Sequence, residues 1–506
     1  MQPKLAQTVQ DFKAYLERIG MFSQAMSVMS FDSETIAPEG GLENRAKRAG
    51  FFELEIYNME TSSTMKDFLE ALAPHLSELD EHTQAMYRLT KKTYDEATKL
   101  PPELVQAYAE LTEESGSVWR KARVDNNYQA FAPYLKRIIE MKKQMLVLRA
   151  NEVPEGGQPY DILLGDFEEG MTVQKYDDFF QKLKAVVVPL IKQVQASKKK
   201  IDTSFVNAKV DIPTQREISK LLANRIGYDL NRGYIGEAMH PFCNGAHRTD
   251  VRITTHYYED DFMSSLYSVM HEIGHAIYEQ NVGEDIADTI LGTGASSGIH
   301  ESQSRLYENV IGRAPAFWEY ITDELKTLLP KEFADVTPHM FYEAANESKP
   351  SLIRVEADEL TYSLHVIIRY EIEKMIFTSE IDVNDLPALW NQKYQEYLGI
   401  TPPNDSDGVM QDIHWSEGLF GYFPTYALGS AYAAQMLHYM NQEFDVNALI
   451  LKGEFAKITA WLTEKIHKHG SMHTPNKLVE LAFGEQLNGE YYAQYLKDKF
   501  SKLYQL

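Results

Sequence analysis

The stretch EDDFMSSLYSVMHEIGHAIYEQ constrains the fold more than any other part of this chain. Phe262, Leu266, Val269, Ile273 and Ile277 recur at spacings of three and four, the period of a helix that presents one apolar stripe. Asp260 or Asp261 stands where such a helix needs an N-cap. On that helix His271 and His275 lie four residues apart and project from one face, so both imidazoles can grip a single metal ion. Glu272 is their immediate neighbour. A catalytic zinc site takes three protein ligands and keeps a fourth position for water, so another segment must supply the third ligand.

The segment that follows offers one. GTGASSG reads as a tight turn of small residues, and IHESQSRLYENVIG then resumes helical character, which places His300 and Glu301 near the first turn of a second helix. Glu301 stands 26 positions after His275, enough for the end of one helix, a turn and the start of an antiparallel partner. Successive helical residues point about 100° apart, so only one of His300 and Glu301 can face the metal.

Upstream, VRITTHYY alternates Val251, Ile253, Thr255 and Tyr257 against Arg252, Thr254, His256 and Tyr258, and is β-branched and aromatic throughout. It is expected to be a strand that delivers the chain into the metal helix, with an exposed edge on which an extended peptide can pair. The rest is helical in character. Leu5, Val9, Phe12, Leu16 and Ile19 mark an N-terminal helix, LPPELVQAYAEL opens with prolines suited to a helix start, and YLKRIIEMKKQMLVLRANE lacks helix breakers. Residues 1–235 are expected to form a mainly helical lobe, and residues 236–506 the metal-binding part of the same single domain.

Composition narrows the function. Asp and Glu outnumber Lys and Arg by 74 to 50, and a net charge of -24 repels phosphate backbones and anionic membrane surfaces, so neither nucleic acid nor membrane is an expected partner. One cysteine, Cys243, rules out an internal disulfide. No run of about 18 apolar residues and no secretory signal is visible, and a cytoplasmic location is expected.

The chain also resembles the carboxypeptidase Taq family of thermostable zinc metallocarboxypeptidases. In order, the shared motifs are HPF (240–242), DVRIT (250–254), HEIGH (271–275), HESQ (300–303), IRVEADE (353–359) and GVMQDIHW (408–415). FDSETIAPEG and YDILLGDFEEGMT are similar to the family's N-terminal signatures, with Phe31 and Tyr307 standing where tryptophan is expected. The resemblance implies a mainly α fold like that of the neurolysin and angiotensin-converting-enzyme group, with a deep central cleft and a small β-sheet beside the zinc helix. It selects Glu301 as third ligand, and it implies a homodimer that hydrolyses single residues from the free C-terminus of peptides.

Roles for the remaining residues follow from that chemistry. Glu272 is the expected general base, taking a proton from the attacking water and passing it to the departing amine. His414 and Tyr422 are the expected donors to the developing oxyanion, with Tyr426 the alternative to Tyr422. A terminal carboxylate is best held by a guanidinium, for which Arg354 and Arg252 are candidates; Asp358 is the competing structural partner of the first, and Asp250 or Glu301 of the second. His240 is expected to line the pocket for the last substrate residue. Cobalt or manganese can occupy the same ligands as zinc. An endo-acting zinc oligopeptidase and a metal-stabilised scaffold without turnover are the alternative readings.

Overall fold

The computed structural model describes residues 3–379 and 381–506. The N-terminal helix spans Pro3–Thr35, and the five apolar positions that mark it in the sequence are all buried. They pack with Met65, Leu69, Leu72 and Met86 and with Val282, Ile286 and Leu291, so this core supports the segment just beyond the HEIGH helix. Helices continue without a strand to Ile226, including Pro102–Val124, whose proline occupies the first helical turn as expected. Among the described residues no helix is long and apolar enough to cross a membrane.

The chain forms two compact units, each assembled from three separate stretches. The first takes the N-terminal stretch through Thr98, then Asp202–Ala345 and Met436–Gln486; the second takes Lys99–Ile201, Asn346–Gln435 and Leu487–Leu506. Among the described residues the second unit is helical in all its regular structure, and it is knit by the helix Glu359–Thr378, which Asp358 caps through the amides of Leu360 and Thr361. On that helix the buried Glu373 accepts hydrogen bonds from the Tyr160 hydroxyl, the Trp415 indole and the Gly421 amide.

The first unit holds a sheet of three strands, β1 (Gly233–Glu237), β2 (Cys243–His247) and β3 (Asp250–Thr255), in the order β1-β3-β2. β3 is the strand expected from VRITTHYY, but it begins at Asp250 and ends at Thr255, leaving His256, Tyr257 and Tyr258 outside. It pairs in parallel with β1 and antiparallel with β2. Both of its edges are therefore filled, which overturns the expectation of a free edge on this strand. Val251 and Ile253 are fully buried, as a central strand requires. Its partners, GYIGE and CNGAH, lack the β-branched density that reveals a strand in sequence.

After β3 the chain enters the HEIGH helix, Phe262–Gln280, and Asp261 caps it by accepting from the Ser264 amide at 3.1 Å. The HESQ helix, Ser297–Arg305, is capped by Ser296 and so begins within the small-residue stretch that the sequence reads as a turn. It runs on as a π-helical segment, Leu306–Ile311, within the stretch expected to be helical. The two helices touch backbone to backbone at Gly274, where a Cβ would fall 2.5 Å from the Gln303 carbonyl oxygen and 2.6 Å from the Ser304 Cα. The glycine inside HEIGH is thus what lets the second helix come close enough to share a site.

Candidate active site

His271 and His275 come from one face of the HEIGH helix and Glu301 from the HESQ helix, and one ligand atom from each lies within 4.8 Å of the others. Both Nε2 atoms are 3.5 Å from the same Glu301 oxygen, Oε2. Donors bonded to one tetrahedral centre at about 2.0–2.1 Å are roughly 3.3–3.5 Å apart, so the two separations from Glu301 Oε2 match what a divalent metal requires. The other Glu301 oxygen, Oε1, accepts from Arg305 Nε at 2.7 Å, which leaves Oε2 as the oxygen turned to the imidazoles.

His300 is held elsewhere. Its Nδ1 lies 2.6 Å from His275 Nδ1 and its Nε2 lies 2.7 Å from Glu279 Oε1, so both ring nitrogens are engaged away from the triangle of ligands. The carboxylate of the adjacent pair is the one turned to the metal position. The backs of His271 and His275 are thereby secured by different groups, since His271 Nδ1 lies 2.8 Å from Glu308 Oε2 on the π segment. Glu308 in turn receives Arg305 Nη1 at 3.3 Å and Arg313 Nη2 at 3.4 Å.

The electrostatics follow from this crowding. Burial opposes charge on His271, yet Glu301 and Glu308 outweigh it and hold its pKa up to about 10. Burial drives His275 down to about 3. Against burial, Arg305 and His271 hold Glu301 well below the usual carboxylate range and bring Glu308 to about 2. Glu272 is 5% exposed, and burial raises its pKa to about 7 against the pull of His271, a value matched to proton transfer near neutral pH.

The other expected site residues fall into two groups. In the first unit, His240 is exposed in the connection from β1 to β2. Arg252 on β3 grips Asp250 with Nε and Nη2, each at 2.7 Å, and lies over the Phe31 ring. Phe31 and Tyr307, the two departures from the family pattern, are both buried. In the second unit, Arg354, His414, Tyr422 and Tyr426 gather. His414 Nε2 is 3.4 Å from the Tyr426 hydroxyl, the His414 and Tyr422 rings are 5.6 Å apart, and Arg354 lies 4.9 Å over the Tyr426 ring.

Arg354 does not pair with Asp358, the competing partner suggested by their spacing of four. It lies in a 3-10 turn ahead of the helix that Asp358 caps, and its Nε and Nη2 both donate to Asp412 Oδ1, at 3.1 and 2.9 Å. Arg369 donates to the second Asp412 oxygen at 2.6 Å. Against the cost of burial, the two guanidiniums hold the Asp412 carboxyl well below its ordinary range. Two guanidiniums share one carboxylate here, which leaves one positive charge uncompensated among the three. Glu308, Glu279 and Asp412 were all missed in the sequence, although Glu279 continues the spacing of four from His271 and His275.

Comparison with known proteins agrees with this geometry. The family model for the carboxypeptidase Taq (M32) metallopeptidases matches residues 11–500. Carboxypeptidase 1 of Bacillus subtilis is 45% identical over 497 residues, 98% of each chain. Thermostable carboxypeptidase 1 of Thermus thermophilus is 35% identical, covering 97% of this chain and 96% of that protein. The crystal structure of an M32 carboxypeptidase from Deinococcus radiodurans superposes with a TM-score of 0.94 at 33% identity, over 99% of this chain and 100% of that one. A mainly helical fold with a small sheet is what the sequence resemblance implied, and the chain belongs to the carboxypeptidase Taq (M32) family of metallocarboxypeptidases, hydrolases of peptide bonds.

Proposed function

We propose that this protein is a zinc-dependent carboxypeptidase that removes single amino acids from the free C-terminus of peptides, with zinc held by His271, His275 and Glu301. The observation that carries the reading is the triangle of two imidazoles and one carboxylate oxygen beside the buried Glu272. Zinc at that position supplies Lewis acidity, lowering the pKa of a water and polarising the scissile carbonyl; cobalt or manganese can serve in its place. Glu272 takes the proton from the attacking water and returns it to the leaving amine. His414 and Tyr422 donate to the oxyanion, with Tyr426 beside them.

Arg354 receives the substrate's terminal carboxylate. The uncompensated charge among Arg354, Arg369 and Asp412 supports this role, whereas the charge of Arg252 is matched one to one by Asp250. His240 lines the pocket for the last substrate residue. The homodimer and the cytoplasmic location belong to the same reading, and the homodimer rests on the family resemblance.

The test is mass spectrometry of products from an N-terminally blocked peptide incubated with zinc-loaded protein, with a chelator-treated control. Stepwise loss of single C-terminal residues, abolished by chelation, is the expected result. Internal fragments make the protein an endo-acting oligopeptidase, and peptides left intact across several sequences make it a scaffold. Arg354→Ala separates the first two, because it abolishes terminal trimming and spares internal cleavage.

A further inference from the structure

We infer that Glu279 and His300 are positioning residues that set the tautomer of the metal ligand His275, through a relay in which the carboxylate acts across one imidazole on the next. This rests on the reading of His275 as a zinc ligand. The ring atom that faces Glu301 is His275 Nε2, at 3.5 Å, so a neutral His275 that offers its lone pair there carries its proton on Nδ1. That Nδ1 lies 2.6 Å from His300 Nδ1. At such a distance one nitrogen donates and the other accepts, since two N–H groups or two lone pairs face to face repel. His275 is the donor, and His300 must present a bare Nδ1.

A neutral His300 with a bare Nδ1 carries its proton on Nε2, which points at Glu279 Oε1 at 2.7 Å. An ionised carboxylate only accepts, so Glu279 selects the tautomer of His300 that His275 needs. Glu279 is itself fixed: the same oxygen accepts from Thr293 Oγ1 at 3.1 Å and from the Gly294 amide at 3.3 Å. The opposite tautomer of His300 sets like groups against each other at both ends of the relay.

The surroundings are shaped to this ring. A Cβ at Gly294 would fall 2.5 Å from His300 Cδ2 and 3.0 Å from Tyr278 Cε1, so only glycine leaves room for the imidazole. The Tyr278 ring lies 5.4 Å from that of His300, and its hydroxyl accepts from the Ala295 amide at 3.1 Å. The two ligands are therefore held unequally. His271 has a carboxylate in direct contact, while His275 has a neutral ring with its carboxylate one step behind.

The test measures zinc affinity by competition with a chromophoric chelator, together with the visible absorption of the cobalt-substituted protein, in wild type, His300→Phe, Glu279→Leu and Glu279→Gln. Removing an outer partner of a ligand typically weakens metal binding 10- to 100-fold. A loss of about that size is expected for His300→Phe and Glu279→Leu, with a shifted cobalt spectrum. Glu279→Gln, whose amide oxygen still accepts from His300 Nε2–H, stays within a few-fold of wild type. Should His300→Phe fail to fold, Thr293→Val removes one donor to Glu279 and gives a smaller loss in the same direction. Wild-type affinity and an unchanged cobalt spectrum in Glu279→Leu and Thr293→Val overturn the relay alone. A wild-type protein that takes up no zinc overturns the metal reading, and the relay with it.

Discussion

His271 and Glu308 meet at 2.8 Å, imidazole Nδ1 on carboxylate Oε2, and this contact joins the HEIGH helix to the π segment that continues the HESQ helix. A π turn widens the helix by one residue and re-aims the side chains that follow it. Here it brings Glu308 to the back of His271, between Arg305 and Arg313. Glu308→Ala is expected to release the His271 ring and weaken zinc binding 10- to 100-fold, measured by chelator competition. Unchanged affinity makes the contact incidental.

Gly274 sets the distance between the two ligand-bearing helices. In Gly274→Ala the new methyl meets backbone atoms of Gln303 and Ser304 rather than a movable side chain. Overpacking of this kind costs about 1–3 kcal/mol, and here it also draws Glu301 away from the histidines. Urea unfolding and zinc content of the purified variant are expected to fall together. A variant with full stability and a full complement of zinc refutes the close-contact account.

Glu272→Gln preserves shape and removes the base. Turnover is expected to drop roughly 100- to 10,000-fold while zinc content stays at the wild-type level. Loss of zinc along with activity assigns Glu272 to metal binding instead of proton transfer.

His414 supplies a pH test in the second unit. Burial lowers its pKa to about 4, against an ordinary value of 6.5. Between those values the unfolded chain binds a proton that the folded chain refuses, so stability rises with pH across this window. The contribution is complete above about pH 6.5 and is lost as pH falls through about 4. Urea midpoints from pH 4 to 7 are expected to slope less steeply in His414→Asn than in wild type; parallel slopes show that His414 titrates normally.

Local pattern revealed much of the site. The HEIGH helix, its Asp261 cap and the helix that carries Glu301 each announce themselves within a few residues, because helix period and capping are short-range properties. What stayed hidden depends on contacts between distant segments. β1 and β2 are strands because β3 pairs with them, not because GYIGE and CNGAH favour extension. Asp412 meets Arg354 across 58 positions, while the nearer Asp358 is spent on capping a helix. The third donor proposed for the metal was legible only as a pair of neighbours, between which the family resemblance chose, and both nitrogens of His300 are engaged elsewhere.

The interleaving of the two units governs how this chain must be made. It passes between them five times, and each takes its last stretch from beyond Gln435. A ribosome delivering residues in order therefore cannot complete the first unit before Met436–Gln486 has emerged, nor the second before Leu487–Leu506 has, whereas proteins with sequential domains complete one while the next is still being synthesised. The HEIGH and HESQ segments leave the tunnel long before Met436–Gln486 arrives to complete their unit. During that interval the nascent chain carries its histidines and carboxylates on an incomplete scaffold, and it is then that chaperones have most to protect.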